Sequence, residues 1–361
     1  MLRSLLSRAE KIVIVSRNGT DTAIDDLADG IVQLRQTYVE DRMERWLHIA
    51  KMRGVAAERS MHPFTLVEGR FRSFTEYPDP NLLRGAQAEL DPTPEAPGMW
   101  PGSAALAKAF GRFPTATLTL IETDSQVPFG VQYTLSLPFV TATLRARGRV
   151  TAIPPPMVRP DRIWESFVAL RRPEGAVEDI KRVGRQLRVL SHFGPGAADP
   201  EFAQVVVPLR PPDQRRRLGP PVPQDDPSSA EIPPDSRRAR FPHLFEFTAD
   251  NPEGTPNAIV LFVDGLLAAA REIGSGYTAG AFTAVLQHEV AGYPLHVLAW
   301  SLLGDPLGRP LEGIATIHLR VRAQQGHFFV HGVRPWTTSY ILQPPEEHTA
   351  QSAPFGLVPI R

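Results

Sequence analysis

The chain has 361 residues, of which 42% are hydrophobic and 22% are charged, and its 39 basic and 39 acidic residues leave no formal net charge. Because the chain has no cysteine, disulfides, thiolate metal sites and a cysteine nucleophile are excluded. Overall neutrality argues against a protein that coats nucleic acid or an anionic membrane through its total charge, although it is compatible with a local basic face.

Length and apolar runs set the expected organisation of the chain. A chain of this length favours two domains of ordinary size. It contains no run of 18 apolar residues, so we expect no membrane-spanning helix. The apolar run at residues 12–15 is too short for the core of a signal peptide, and we therefore predict a cytoplasmic protein.

The proline content and the preference for arginine over lysine both depart from the usual composition of proteins. Proline accounts for 37 residues, which is about twice its usual share. Of the 39 basic residues, 35 are arginine and four are lysine. This preference for arginine is typical of proteins from GC-rich genomes and suggests a bacterial or phage source.

The clearest periodic pattern lies in residues 22–54, which we predict to form a long N-terminal helix. Apolar residues recur there at alternating spacings of three and four, and Thr22 and Asp25 have the spacing of a capping pair. The apolar stripe consists of Ile24, Leu27, Ile31, Leu34 and Tyr38. The same spacing suits a short coiled-coil seam, so two hypotheses remain: the helix packs on its own domain, or the stripe joins an oligomer.

The predicted fold class is α+β, with two domains that each contain a small antiparallel sheet packed by helices. An N-terminal helical segment is predicted at residues 1–60 and a first α+β domain at residues 61–207. A linker at residues 208–241 leads to a second α+β domain at residues 242–361. The linker is rich in proline and arginine and has almost no apolar pattern. A second proline-rich stretch, residues 75–112, is expected to be a long irregular arm.

Three stretches with period-two alternation, at residues 115–120, 131–137 and 142–150, predict an antiparallel meander. Arg145, Arg147 and Arg149 would form a row on its open face, about 7 Å apart and near the phosphate spacing of a single nucleic-acid strand. The simpler interpretation is a solubilising face that discourages pairing with other strands.

Three strands are predicted near the C-terminus, at residues 294–303, 313–323 and 327–333, and the last two form a hairpin. If Gln324 and Gln325 form its turn, six side chains share one face: His318, Arg320, Arg322, His327, Phe329 and His331. This cationic face is a solvated surface, a protein interface or a platform for single-stranded nucleic acid. Two of its histidines also suggest a metal pair, but no third ligand is evident.

Known catalytic motifs are not complete in this sequence. His288 and Glu289 lack the second histidine of an H-E-x-x-H zinc motif, because residue 292 is glycine. Gly274, Gly276 and Gly280 do not have the spacing of a dinucleotide-binding loop. The sequence has neither a G-x-x-x-x-G-K-[ST] phosphate loop nor a G-x-S-x-G nucleophile elbow. We therefore assign no catalytic residue, no metal site and no cofactor.

The sequence favours a non-catalytic structural or adaptor subunit of a bacterial or phage multiprotein assembly. Its proline-rich segments and exposed sheet faces would bind other protein subunits, including copies of itself. The first alternative is an RNA-binding or single-stranded-DNA-binding protein that uses the arginine-rich sheet faces. The second is a hydrolase whose site is assembled from residues distant in sequence, with His288, Glu289, His318 and His331 as candidates.

Overall fold

The structure of the chain is a computed structural model. It describes residues 14–15, 22–56, 59–74, 76–78, 103–114, 116–160, 163, 184–191, 206–208, 247–248, 257–265, 283, 286–287, 290, 295–306, 308–344 and 355–361.

Two sheets organise the described residues. The strands of the smaller sheet are β1 (Gly30–Val39), β2 (Arg42–Met52), β3 (Met61–Thr65) and β4 (Arg72–Ser73). They pair antiparallel in the order β1-β2-β3-β4, and a short helix, α1 (Thr22–Leu27), precedes β1. The combination of helices and two sheets confirms the prediction of a mixed α+β protein.

The larger sheet has ten strands. They are β5 (Leu118–Thr123), β6 (Val150–Ile153), β7 (Leu187–Ser191), β8 (Val206–Pro208), β9 (Asn257–Phe262), β10 (Leu295–Leu302), β11 (Ile317–Gln324), β12 (His327–Arg334), β13 (Tyr340–Gln343) and β14 (Gly356–Pro359). Their order across the sheet is β14-β13-β12-β11-β5-β10-β9-β6-β7-β8. The seven strands from β11 to β8 are parallel, and β12, β13 and β14 extend the sheet antiparallel.

Helices cover both faces of the parallel strands. A connection between two parallel strands has to return from one end of the sheet to the other, and such connections usually contain a helix that packs on a face of the sheet. They are α2 (Ala104–Phe110), α3 (Phe129–Arg145) and α4 (Arg309–Ile314). On one face, Leu106 of α2 and Val131 of α3 join a core that includes Ile121 of β5. On the other face, Leu311 of α4 packs in a core with Leu120 of β5. The central strands are therefore buried on both sides, as their almost continuous apolar sequence requires.

The smaller sheet packs on the antiparallel end of the larger one. Trp46 of β2 contacts Phe329 of β12, with ring centroids 5.5 Å apart, and both belong to a separate apolar cluster with Ile341 of β13. The Thr65 hydroxyl also donates a hydrogen bond to the Pro359 carbonyl of β14 at 2.9 Å. This contact fixes where β1 and β2 lie.

The predicted long N-terminal helix is wrong, because residues 30–52 form the β1–β2 hairpin instead. Glu40 and Asp41 form its two-residue turn, and both have positive φ angles, 48° and 60°. This pair of positive φ angles is the geometry that lets a two-residue turn join twisted antiparallel strands. The apolar positions used to predict a helix also fit a strand, and the β-branched residues of β1 favour the strand.

The predicted meander is also wrong, because residues 129–145 form helix α3 between β5 and β6. The helix is rich in Ser and Thr, and several hydroxyls donate to the carbonyl four residues earlier, as Thr134 does to Gly130 and Thr143 to Phe139. Most of its side chains are buried, so the 3.6-residue period of a surface helix is masked. The alternation of polar and apolar residues in this segment therefore resembled a strand.

The separate small antiparallel sheet predicted for each half of the chain is not observed. Strands from residues 118–208 and strands from residues 257–359 instead belong to the same mixed sheet. In the predicted proline-rich arm, residues 104–110 form helix α2 rather than an irregular loop. The predicted linker lies outside the described residues except for Pro208, which ends β8.

No helix among the described residues is both long and apolar enough to cross a membrane.

His296 of β10 is a buried polar residue inside the larger sheet. The Thr117 hydroxyl lies 3.2 Å from Nδ1 of this histidine, and the Thr119 hydroxyl lies 3.2 Å from Nε2. Since Thr117 donates its proton to the Pro114 carbonyl at 2.7 Å, its oxygen accepts from Nδ1–H, and Nε2 accepts from Thr119. Burial lowers the pKa of His296 to about 4, so the ring is neutral in the folded protein.

We predict that His296 makes the fold acid-sensitive. Its pKa falls from 6.5 to about 4 on folding. Above pH 6.5 the histidine is neutral in both the folded and the unfolded chain and does not make stability depend on pH. As the pH falls from 6.5 to 4, only the unfolded chain takes up the proton, and the free energy of unfolding drops by about 3 kcal/mol. A His296→Gln variant cannot take up this proton and should lose about 3 kcal/mol less than the wild type over this range. Urea unfolding from pH 8 to pH 4 measures the difference; parallel curves for the two proteins would contradict the prediction.

Candidate functional site

The carboxyl ends of β5 and β10 form the first candidate site. These adjacent parallel strands lead into α3 and α4, which cover opposite faces of the sheet. In open α/β sheets, ligands bind in the crevice at such a point, where the connections leave in opposite directions. The side chain of Gln132 in α3 donates to the Thr123 hydroxyl at the end of β5. The Leu303 amide just after β10 donates to the Thr123 carbonyl at 2.7 Å.

Asp124 occupies the place where a phosphate-binding loop would present its amides. One oxygen of its carboxylate accepts from the Gln126 N–H at 2.9 Å, and the other accepts from the Ala323 N–H at 2.8 Å. A phosphate loop instead leaves its backbone N–H groups free for the ligand and adds a lysine. The Asp124 carboxylate therefore accepts from one amide of this loop and one amide of β11, and its negative charge does not favour a bound phosphate.

Two acidic residues also lie near this edge. Burial raises the pKa of Asp264, which follows β9, and the negative charge of Asp305 raises it further. Within the part of the chain that the structure describes, no three His, Asp or Glu side chains are grouped so that they could hold a metal ion. His288, Glu289 and the predicted glycine loop lie outside the described residues.

The β1–β2 hairpin, residues 30–52, is the second candidate site. It has an inner face that packs on β11 and β12, and an outer face that points away from them. The inner-face side chains of Arg42, Glu44 and Trp46 are buried. Arg42 donates to the Gly332 carbonyl at 2.6 Å and to the Thr337 carbonyl at 2.8 Å. These hydrogen bonds anchor the turn end of the hairpin on the larger sheet.

The inner face of the hairpin covers the predicted cationic face. The turn between β11 and β12 is Gln325–Gly326, so Arg322 pairs with Phe329 and Arg320 with His331. This register differs from the predicted one by two residues, and the six side chains therefore still share one face. His318, His327, Phe329 and His331 are buried on that face, while Arg320 and Arg322 keep about a quarter of their surface exposed.

Glutamates from three segments neutralise this face. Glu122 of β5 accepts from His318 Nε2 at 2.7 Å and from Arg320 Nε at 2.8 Å. Glu40 accepts from Arg320 at 3.0 Å and from His331 at 3.1 Å, and Glu44 accepts from Arg322. We call these seven residues the glutamate network: Glu40, Glu44, Glu122, His318, Arg320, Arg322 and His331.

Burial and charge act against each other in the glutamate network. Burial would raise the pKa of Glu122, but the hydrogen bonds from His318 and Arg320 outweigh it and leave the pKa below its usual value. Burial and the nearby Arg42 lower the pKa of His331 to about 4 against the opposing effect of Glu40. His331 is therefore neutral at pH 7, and it donates from Nε2 to Glu40. Glu122 is ionised and holds two donors in place.

These contacts bear on the nucleic-acid alternative. A phosphate-binding face requires arginines whose charge is available to the ligand. Arg320 and Arg322 are each paired with a glutamate. The Phe329 ring is buried beneath the Arg322 guanidinium, whose central carbon lies 4.7 Å from the ring centroid. The geometry therefore gives no support to nucleic-acid binding at this face.

The second predicted arginine row does not form. Arg145 is the last residue of α3, Arg147 lies in the following turn with a φ of 63°, and Arg149 precedes β6. Arg149 donates to the Phe247 carbonyl at 2.9 Å, and its guanidinium lies over the Phe247 ring. Because the three residues belong to a helix end, a turn and a loop, they do not line one strand.

The outer face of the hairpin is largely apolar and exposed. Its members are Val32, Leu34, Gln36 and Tyr38 of β1 and Met43, Arg45, Leu47 and Ile49 of β2. Val32, Leu34 and Tyr38 are 51%, 64% and 68% exposed. Exposed apolar side chains that lie together, rather than singly, mark surfaces that bind other molecules.

The predicted oligomer stripe is divided between two elements. Ile24 and Leu27 lie in α1, and Ile31, Leu34 and Tyr38 lie in β1. Of the five, Leu34 and Tyr38 share the outer face. The helical interpretation missed Val32, Leu47 and Ile49, although the alternation of apolar residues on both sides of the Glu40–Asp41 turn was a signal for a hairpin.

Comparison with known proteins adds one partial similarity. No protein-family model matches the chain. A stretch of 66 residues is 38% identical to Protein GvpD2 of Halobacterium salinarum. The stretch is 18% of this chain and spans 13% of that protein's length.

We predict that Glu122, which is 2% exposed, contributes more to stability than Glu40, which is 36% exposed. A Glu122→Gln variant removes a buried charge from two donors and should lower the free energy of unfolding by about 2 kcal/mol. The matched Glu40→Gln variant lies at the rim of the glutamate network and should cost less than about 1 kcal/mol. Urea unfolding at pH 7 compares the two, and an equal loss in both variants would contradict this account.

Proposed function

We propose that this chain is a non-catalytic subunit of a multiprotein assembly and that it binds a partner protein through the outer face of the β1–β2 hairpin. The observation that carries the proposal is the exposure of Val32, Leu34 and Tyr38 along one face of a strand at the edge of a sheet. Covering these three side chains would contribute about 1 to 2 kcal/mol each. That is a substantial part of the free energy that a specific interface requires.

The way the hairpin is held supports the same function. The glutamate network, Arg42 and Trp46 fix its inner face on the larger sheet. An outer face with a fixed backbone loses little conformational freedom when a partner binds, and this lowers the cost of association. The hairpin therefore has the character of a preformed interface.

The carboxyl edge of the sheet supports a non-catalytic role. The Asp124 carboxylate accepts from one amide of the loop in which a nucleotide-binding sheet would hold phosphate, and its second oxygen accepts from Ala323 of β11. The proline-rich segments at residues 75–102 and 209–241 extend the proposal on sequence grounds, since such segments suit binding along a neighbour's surface.

A charge on the outer face should abolish partner binding. The full-length chain carrying Leu34→Glu would bury a carboxylate in the interface, and retention of the partner should fall by about tenfold or more. Met157 lies away from the hairpin and is 88% exposed, so Met157→Glu is the matched control. Affinity purification from the source cells, with light scattering of the eluted complex, gives the ratio of partner to chain.

The control should retain its partner at the wild-type ratio, and both variants should melt within a few degrees of the wild type. Equal retention by Leu34→Glu and Met157→Glu would contradict the proposed interface.

A further inference from the structure

The edge of the smaller sheet at β1 has no neighbouring strand among the described residues. Within the described residues β1 pairs with β2 alone, and residues 34–38 are exposed on both faces of the strand. β1 is ten residues long and has neither lysine nor proline, the residues that commonly protect an edge from pairing. Its single charged side chain is Arg35. The strand therefore offers a long and nearly neutral edge.

The register of the hairpin identifies the free backbone groups of this edge. Val39 and Arg42 flank the two-residue turn, so they form a hydrogen-bonded pair, and such pairs alternate along an antiparallel ladder. Thr37, Arg35 and Gln33 consequently bond to β2. The N–H and C=O groups of Leu34, Gln36 and Tyr38 point away from β2 and are available to another strand.

The neighbouring strand shows what an additional strand would do to these side chains. Met43, Leu47 and Ile49 lie on the same outer face in β2 and are only partly exposed, and β2 has β1 on one side and β3 beside part of the other. Leu34 and Tyr38 have a strand on one side alone and are about two-thirds exposed. A strand on the free edge of β1 would give these residues the half-buried state of their neighbours in β2.

We propose that this added strand is β1 of a second copy of the chain, paired antiparallel across a two-fold axis at Gln36. The inference rests on the proposed function, because it names the partner of the same hairpin and places it along the edge of the outer face. In this register Gln36 faces Gln36, Leu34 faces Tyr38, and Arg35 faces Thr37. Apolar residues meet apolar residues and no like charges are opposed, whereas moving the two-fold axis to residue 35, a shift of two residues in the pairing, places Arg35 opposite Arg35.

A two-fold arrangement of this kind is self-complementary, as the interface of a symmetric dimer has to be. It uses the free N–H and C=O groups of Leu34, Gln36 and Tyr38 on both strands. It also joins the two outer faces into one surface of a combined sheet, in which apolar side chains flank the central Gln36 pair.

The lack of cysteine makes the pairing directly testable. In a hydrogen-bonded antiparallel pair the Cα atoms are about 5.5 Å apart, which is within the range of a disulfide. The full-length Gln36→Cys variant carries a single thiol. Under mild oxidation it should form a covalent dimer that a reductant reverses, with a melting temperature close to that of the wild type.

Thr37→Cys is the matched control, since Thr37 is the next residue and is also exposed. In the proposed register two residues at position 37 lie about 8 Å apart, beyond the reach of a disulfide. The control should therefore cross-link about tenfold less than Gln36→Cys. Equal cross-linking of the two variants, or none in either, would overturn the pairing.

The two proposals fail separately. If Gln36→Cys does not cross-link while Leu34→Glu still loses a co-purifying protein, the partner is a different protein and the second copy is overturned. If Leu34→Glu retains every partner and Gln36→Cys stays monomeric, both proposals are overturned.

Discussion

Two glutamates of the hairpin determine how the smaller sheet sits on the larger one. Buried Glu44 pairs with Arg322 of β11, and Glu40 pairs with Arg320 of β11 and His331 of β12. A buried charge that loses its partner is costly, so this arrangement tolerates little displacement of the hairpin. With the inner face held in this way, the outer face necessarily points to solvent. The exposure of Leu34 and Tyr38 is thus a consequence of polar contacts on the opposite side of the strands.

The larger sheet has an architecture that often carries a ligand site, but its own residues occupy the key positions. Parallel strands, helices on both faces and a change of crossover direction at β5 and β10 are the usual setting for such a site. Asp124 instead ties the loop after β5 to β11 through its own carboxylate. Function has to be argued from the site rather than from the fold. The exposed apolar side chains of the outer face make the hairpin the better candidate than the carboxyl edge.

Some of the fold follows from local sequence and some does not. The strands β10, β11 and β12 were predicted within a few residues, because each is a strongly apolar or alternating run next to a turn. The β1–β2 hairpin was predicted to be a helix, because the apolar spacing in β1 fits both a helix and a strand. Helix α3 was predicted to form strands, because the burial of most of its side chains hides the 3.6-residue helical period. Tertiary packing decided both cases.

The candidate site shows the same limit. The six cationic and aromatic residues of the C-terminal hairpin were correctly grouped on one face, since parity along paired strands survives a two-residue error in register. Their burial was not predictable, because the glutamates that neutralise them lie at positions 40, 44 and 122, up to 291 residues away in sequence. Only the fold brings these charges together, and local patterns do not report such contacts.

The central claim is that the β1–β2 hairpin is the assembly surface of this chain and that the edge of β1 pairs there with a second copy. Amide hydrogen exchange on the full-length protein at high and low concentration tests it most directly, because it reports each backbone N–H separately. We expect the amides of Leu34, Gln36 and Tyr38 to exchange slowly at high concentration and quickly after dilution, while the amides of Arg35 and Thr37 change much less. Exchange at Leu34, Gln36 and Tyr38 that is equally fast at both concentrations would contradict the account.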